Sequence, residues 1–121
     1  MKIRCKCGET LTNDLYPTKR WGLMEEIQDY MFEGNTRHYM KIRKGSFMYI
    51  QGFYYPEFLI CPDDVFDQEQ LEYKGYNGCC GNHHVKYSCA SCKAVVGYQY
   101  LDCYDDWHIA IVASKVERVY K

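Results

Sequence analysis

Polar and apolar residues alternate with a period of two over much of this chain, the signature of strands with one face buried and one wet. Lys2 to Leu11 reads as a first strand running into a tight turn at Gly8. Tyr39 to Arg43 and Phe47 to Gln51 flank Lys44-Gly45-Ser46, which predicts two strands joined by a hairpin turn. Tyr54-Tyr55-Pro56 breaks the run, and Glu57 to Cys61 resumes it. Val85 to Ser88, Val95 to Leu101 and Trp107 to Val112 follow, and Val116 to Tyr120 adds an edge. One segment departs from this rhythm. From Trp21 to Phe32 the residues Leu23, Ile27, Tyr30 and Met31 recur at helical spacing and Gly34-Asn35 supplies a stop, so a helix is predicted there. Asp63 to Tyr73 is acidic and suits a short helix or an ordered loop, while Gly75 to Asn82 reads as a loop. The expected fold class is mainly β (α+β), with antiparallel sheets and one or two short helices.

Composition narrows the class further. At 121 residues the chain has the size of one hydrophobic core, so 1–121 is read as a single domain. An apolar fraction of 47% removes disorder as the default. Thirteen tyrosines help raise the aromatic share to 17%, a surplus that suits strands and can line a pocket or an interface. Fifteen basic against sixteen acidic residues leave a net charge of −1, so no global field draws the chain to nucleic acid or an anionic membrane. The locally basic stretch Arg37 to Lys44 reads as the wet face of a strand. Cys5 and Cys7 precede any apolar run that would serve as a leader, and nothing approaches the roughly 18 apolar residues that span a bilayer. A cytoplasmic location is the expectation. In a reducing compartment, eight cysteines then point to metal binding or reactive thiols before disulfides.

The cysteines are not scattered evenly. Cys5-Lys6-Cys7-Gly8 and Cys89-Ala90-Ser91-Cys92 are two short thiol pairs, and each turn of this kind aims two sulfurs at one point. Together they supply the four soft ligands that tetrahedral Zn²⁺ prefers, so Cys5, Cys7, Cys89 and Cys92 are the expected metal ligands. Such a site ties the first strand to one far along the chain. Alternatives remain open at this level: Cys79 or Cys80 replacing one ligand, or a second site built from Cys61, Cys80, Cys103 and a histidine. Burial as small apolar side chains is the plainer reading of Cys61 and Cys103.

The second pair carries a longer pattern. In Cys89-Ala90-Ser91-Cys92-Lys93-Ala94-Val95-Val96-Gly97-Tyr98-Gln99-Tyr100, an aliphatic residue, a glycine and two aromatics follow the thiols at fixed offsets. This resembles the exit from the second zinc knuckle of the β-tent superfamily, which includes Yippee proteins, the cereblon thalidomide-binding domain and methionine sulfoxide reductase B. The resemblance implies a zinc-stapled β fold, with Gly97 letting the strand pass close to the knuckle. It covers about a dozen residues there and only the thiol pair at the N-terminal knuckle. The reductase activity is not implied, because no cysteine here stands in an Arg-x-Cys-x-Asn context. A fainter resemblance, carried by Gly78-Cys79-Cys80-Gly81 and by Asp102 to His108, is to small uncharacterised bacterial proteins with a GCCG segment.

Two function classes follow. The first is a non-enzymatic binding module stabilised by zinc, presenting aromatic residues to a partner protein or small ligand. A bacterial immunity or antitoxin-type protein is one form of it, with Asp63 to Glu72 as the contact surface. The alternative is a cysteine- or zinc-dependent enzyme using the Cys79-Cys80/His83-His84 loop and Cys103/His108, with a thiolate activated by a nearby base. Phosphate loops, dinucleotide fingerprints and nucleophile elbows are absent.

Overall fold

The period-two runs do form strands, and these sort into three sheets in the computed structural model. It describes residues 1–17, 24–32, 35–52, 55–66, 85–100 and 107–120, with the backbone alone for 24–32 and 35–41. The strands are β1 (Lys2–Cys5), β2 (Tyr16–Pro17), β3 (Met24–Phe32), β4 (Asn35–Ile42) and β5 (Ser46–Gln51) in the first half. After them come β6 (Pro56–Ile60), β7 (Val85–Ser88), β8 (Val95–Tyr100), β9 (His108–Val112) and β10 (Val116–Val119). Six make one sheet in the order β2-β5-β6-β9-β8-β7, while β1-β10 and β3-β4 are two-stranded ribbons. Every pairing is antiparallel except the short β2–β5 contact, where Tyr16 lies beside Ser46.

The predicted helix is corrected. Residues 24–32 of the stretch from Trp21 to Phe32 are strand β3, paired with β4 from Met24↔Ile42 to Phe32↔Asn35. The register slips between Ile27 and Tyr30, which marks a bulge on β3. An extra residue resets a strand's two-residue alternation, so i, i+3 spacing of apolar residues is compatible with a bulged strand as well as a helix. The helical elements among the described residues are two 3-10 turns, Pro62–Asp64 and Ala113–Lys115. The hairpin expected around Gly45 is also corrected. A turn is present, with the Ser46 N–H donating to the Arg43 carbonyl at 3.1 Å, but β4 pairs with β3 and β5 with β2 and β6.

Both faces of the large sheet are covered at its centre. On β6, Phe58 and Ile60 join one apolar cluster with Ile109, Ile111, Tyr87 and Val96, into which Ile3, Cys5 and Val116 of the β1–β10 ribbon also pack. Leu59 belongs to a second cluster with Ile42, Met48, Cys61 and Ala110. Strand β9 is buried along its whole length, and its sequence His-Ile-Ala-Ile-Val is correspondingly apolar almost throughout. Gly97 of β8 lies against β9: a methyl group at its Cα would collide with the Ala110 carbonyl oxygen and lie 3.1 Å from the Ile111 Cα. The close approach expected of Gly97 is thus to the neighbouring strand.

The ribbon is fixed to the sheet by its own side chains. Arg118 of β10 lies over the rings of Tyr49 and Phe58, 4.6 and 4.9 Å from their centroids. The other edge of β1 is not left open, because the Leu11 N–H donates to the Ile3 carbonyl at 2.8 Å. Thr12, fully buried, accepts from the Ile3 N–H at 3.0 Å and donates to the Asn13 carbonyl at 2.9 Å. Cys5 therefore sits at the end of a strand held on both sides.

Candidate metal centre

Each thiol pair occupies a turn at the end of a strand. β1 closes with Cys5, after which the Gly8 N–H donates to the Cys5 carbonyl at 2.9 Å and the Cys5 N–H to the Glu9 carbonyl at 2.8 Å. The second turn joins β7 to β8 and repeats the pattern: Lys93 N–H to Cys89 carbonyl and Cys89 N–H to Ala94 carbonyl, both 2.9 Å. In both turns the residue after the second cysteine is left-handed, Gly8 at φ 103° and Lys93 at φ 64°. Reversal through that conformation turns backbone N–H groups toward the sulfurs. Backbone N–H groups accordingly favour the thiolate forms, that of Cys7 acting on Cys5, that of Glu9 on Cys7, and those of Ser91 and Cys92 on Cys89.

The two turns meet. Cys5 Sγ lies 3.6 Å from Cys92 Sγ, and Cys7 Sγ lies 3.6 Å from Cys89 Sγ. All four sulfurs lie within 4.8 Å of one another, and among the described residues this is the one cluster of His, Cys, Asp and Glu able to hold a metal ion. A tetrahedral ion with sulfurs at about 2.3 Å requires them about 3.8 Å apart, so the cluster fits such an ion with small adjustments. The four candidates drawn from the sequence are the four the fold brings together.

Cys5 and Cys89 are buried, whereas Cys7 and Cys92 are exposed. Burial pushes the Cys5 thiol up to about 12 and raises Cys89 as well. Cys7 is instead drawn down to about 7, chiefly by the N–H of Glu9. A cation entering the site must displace the protons of the buried pair, so loading releases acid.

The remaining candidates fall elsewhere. Cys61 is fully buried in the second apolar cluster, apart from the four sulfurs. His108 is buried, its ring stacked on Tyr100 at 5.2 Å between centroids. Its neighbour Trp107 donates its indole N–H to the buried Gln99 side chain at 3.2 Å. Cys79, Cys80, His83, His84 and Cys103 lie outside the described residues, as do residues 67–72 of the acidic stretch. Asp64 of that stretch is buried and turned to internal partners, so it is no part of a contact surface. Sequence reasoning missed Lys93; the signal was available, since it stands where Gly8 stands in the first knuckle. No helix among the described residues is long and apolar enough to cross a membrane.

Comparison with protein-family models, with curated proteins and with solved structures found no match to this chain.

Proposed function

We propose that this chain is a zinc-stapled binding module of the β-tent kind, acting through a protein partner and not through catalysis. The observation that carries the reading is the convergence of four cysteine sulfurs from two knuckles more than eighty positions apart, each within 4.8 Å of the others. Four thiolates fill a tetrahedral ion and leave no position for a substrate, which favours a structural role. Zinc is the ion preferred there because it has no redox chemistry and accepts sulfur in that geometry. The staple would join the β1–β10 ribbon to the β7–β8 edge of the large sheet.

A partner is supported by exposed tyrosines: Tyr16 and Tyr120 are 68% and 71% exposed. Rings of this type are enriched at protein interfaces. The immunity or antitoxin role belongs to the same proposal, and the GCCG resemblance bears only on its bacterial setting. Elemental analysis of reduced protein purified without added metal tests the staple. One zinc per chain is expected; iron or no metal overturns it.

A further inference from the structure

We propose that Cys7 and Cys92 are sites of oxidation by hydroperoxides, each resolved by the buried cysteine of the opposite knuckle. The product carries the disulfides Cys7–Cys89 and Cys5–Cys92, expels the metal and keeps the two knuckles joined. Its metal-release half rests on the zinc reading above, whereas the disulfide half rests on sulfur geometry alone.

Three observations converge. Among the described residues the exposed cysteines are Cys7 and Cys92, one from each knuckle, so an oxidant in solution meets one member of each pair first. The 3.6 Å contact that each exposed sulfur makes is with a buried one, and both contacts cross between knuckles. Closing such a contact to the disulfide length of about 2.05 Å takes a shift of roughly 1.5 Å. Within the first knuckle, a Cys5–Cys7 bond would instead close a ring around the single residue Lys6, a tighter geometry than disulfides favour.

The chemistry balances with the peroxide as sole oxidant. The thiolate of Cys7 attacks the terminal peroxide oxygen, an S–O bond forms, the O–O bond breaks, and the departing hydroxide, or alkoxide from an organic hydroperoxide, takes a proton to become water or the alcohol. The sulfenic acid so formed is attacked by the Cys89 sulfur; the S–S bond forms, the S–O bond breaks, and a second hydroxide leaves as water after protonation. Cys92 and Cys5 repeat the sequence with a second peroxide. Four thiolates have then lost four electrons in all, and a dication without thiolates is released.

The test uses the intact metal-loaded protein and hydrogen peroxide. A chromophoric chelator reads metal release, and tryptic digestion after alkylation of remaining thiols reads the bonds. Trypsin cuts after Arg4, Lys6, Lys19, Lys86 and Lys93, separating Cys5 from Cys7 but leaving Cys89 and Cys92 on one peptide. The expected product is one covalent species joining Cys5-Lys6, Cys7–Lys19 and Tyr87–Lys93, with fragmentation between Cys89 and Cys92 assigning the partners. Cys5-Lys6 joined only to Cys7–Lys19, bonds from these thiols to Cys61, Cys79, Cys80 or Cys103, or alkylation of Cys7 and Cys92 after oxidant would each overturn it. Protein that binds no metal when reduced yet gives the same bonds defeats the zinc reading while leaving the disulfide assignment standing.

Discussion

The Asp64 carboxylate accepts a hydrogen bond from the backbone N–H of Gly45 at 2.6 Å. It thereby anchors the turn between β4 and β5 to the 3-10 turn that follows β6. Asn13 completes the junction, its N–H donating to the Asp64 carbonyl at 3.0 Å and its amide to the carboxylate at 3.4 Å. Replacing Asp64 with Ala leaves the Gly45 donor without this acceptor, which costs about 1–3 kcal/mol. Asp64→Asn, which retains an acceptor oxygen, should lose less. Urea unfolding of the two variants at fixed metal concentration measures the difference.

The paired left-handed residues predict opposite responses to substitution. A methyl group at Gly8 meets nothing within 4 Å, so Gly8→Ala is penalised through its φ of 103° alone, by about 1 kcal/mol. Lys93 already carries that strain at φ 64°, and Lys93→Gly should be neutral or stabilising by less than about 1 kcal/mol. Thermal unfolding of both variants in the metal-loaded state checks the pair. Equal losses in both would mean that the Lys93 side chain makes a contribution outweighing its backbone strain.

Cys89→Ser and Cys61→Ala separate ligation from packing, since both cysteines are fully buried. The first removes a proposed metal ligand and should abolish stoichiometric metal with a loss above about 4 kcal/mol, enough to unfold many domains. The second removes a buried thiol that lies apart from the four sulfurs, at a cost of about 1 kcal/mol, with metal per chain unchanged. Metal content and circular dichroism on the same samples decide. A Cys89→Ser protein with full metal and unchanged stability would remove that residue from the site.

Glu57 gives the pH prediction. Burial raises its carboxyl above the ordinary value, because the charged form is less well solvated in the fold. As pH rises past the unfolded value of about 4.3, the unfolded chain ionises first, and folding is disfavoured progressively until pH passes the raised folded value. Glu57→Gln removes that penalty. The variant should melt above the parent at neutral pH, and the gap should close as pH falls toward about 4. Melting curves of both proteins across that range test the sign.

The clustering of Cys5, Cys7, Cys89 and Cys92 was legible because thiol spacing is a local signal and the pairing of two knuckles has few alternatives. The strands β7, β8 and β9 were legible for a similar reason, since Val85 to Ser88 and Val95 to Tyr100 carry the apolar and aromatic content of buried strands. What failed depended on partners distant in sequence. Ile27 and Tyr30 mimic a helix because a bulge lies between them, and a bulge exists only once β4 has paired with β3. Gly45 marks a turn locally, but the different partners of β4 and β5 are decided elsewhere. Asp64 looks like one more surface carboxylate until Gly45 and Asn13 are seen to enclose it.

The pairing of β1 with β10, from Lys2↔Val119 to Cys5↔Val116, bears on how the molecule comes to be folded. Contacts of such long sequence separation raise contact order and slow the search for the native state. During synthesis β1 must wait, its Cys5 and Cys7 thiols already outside the ribosome, until both the second knuckle and β10 have emerged. Over that interval the two early thiols have neither their strand partner nor the two sulfurs they will meet, and a reducing environment is what keeps them competent to complete the cluster.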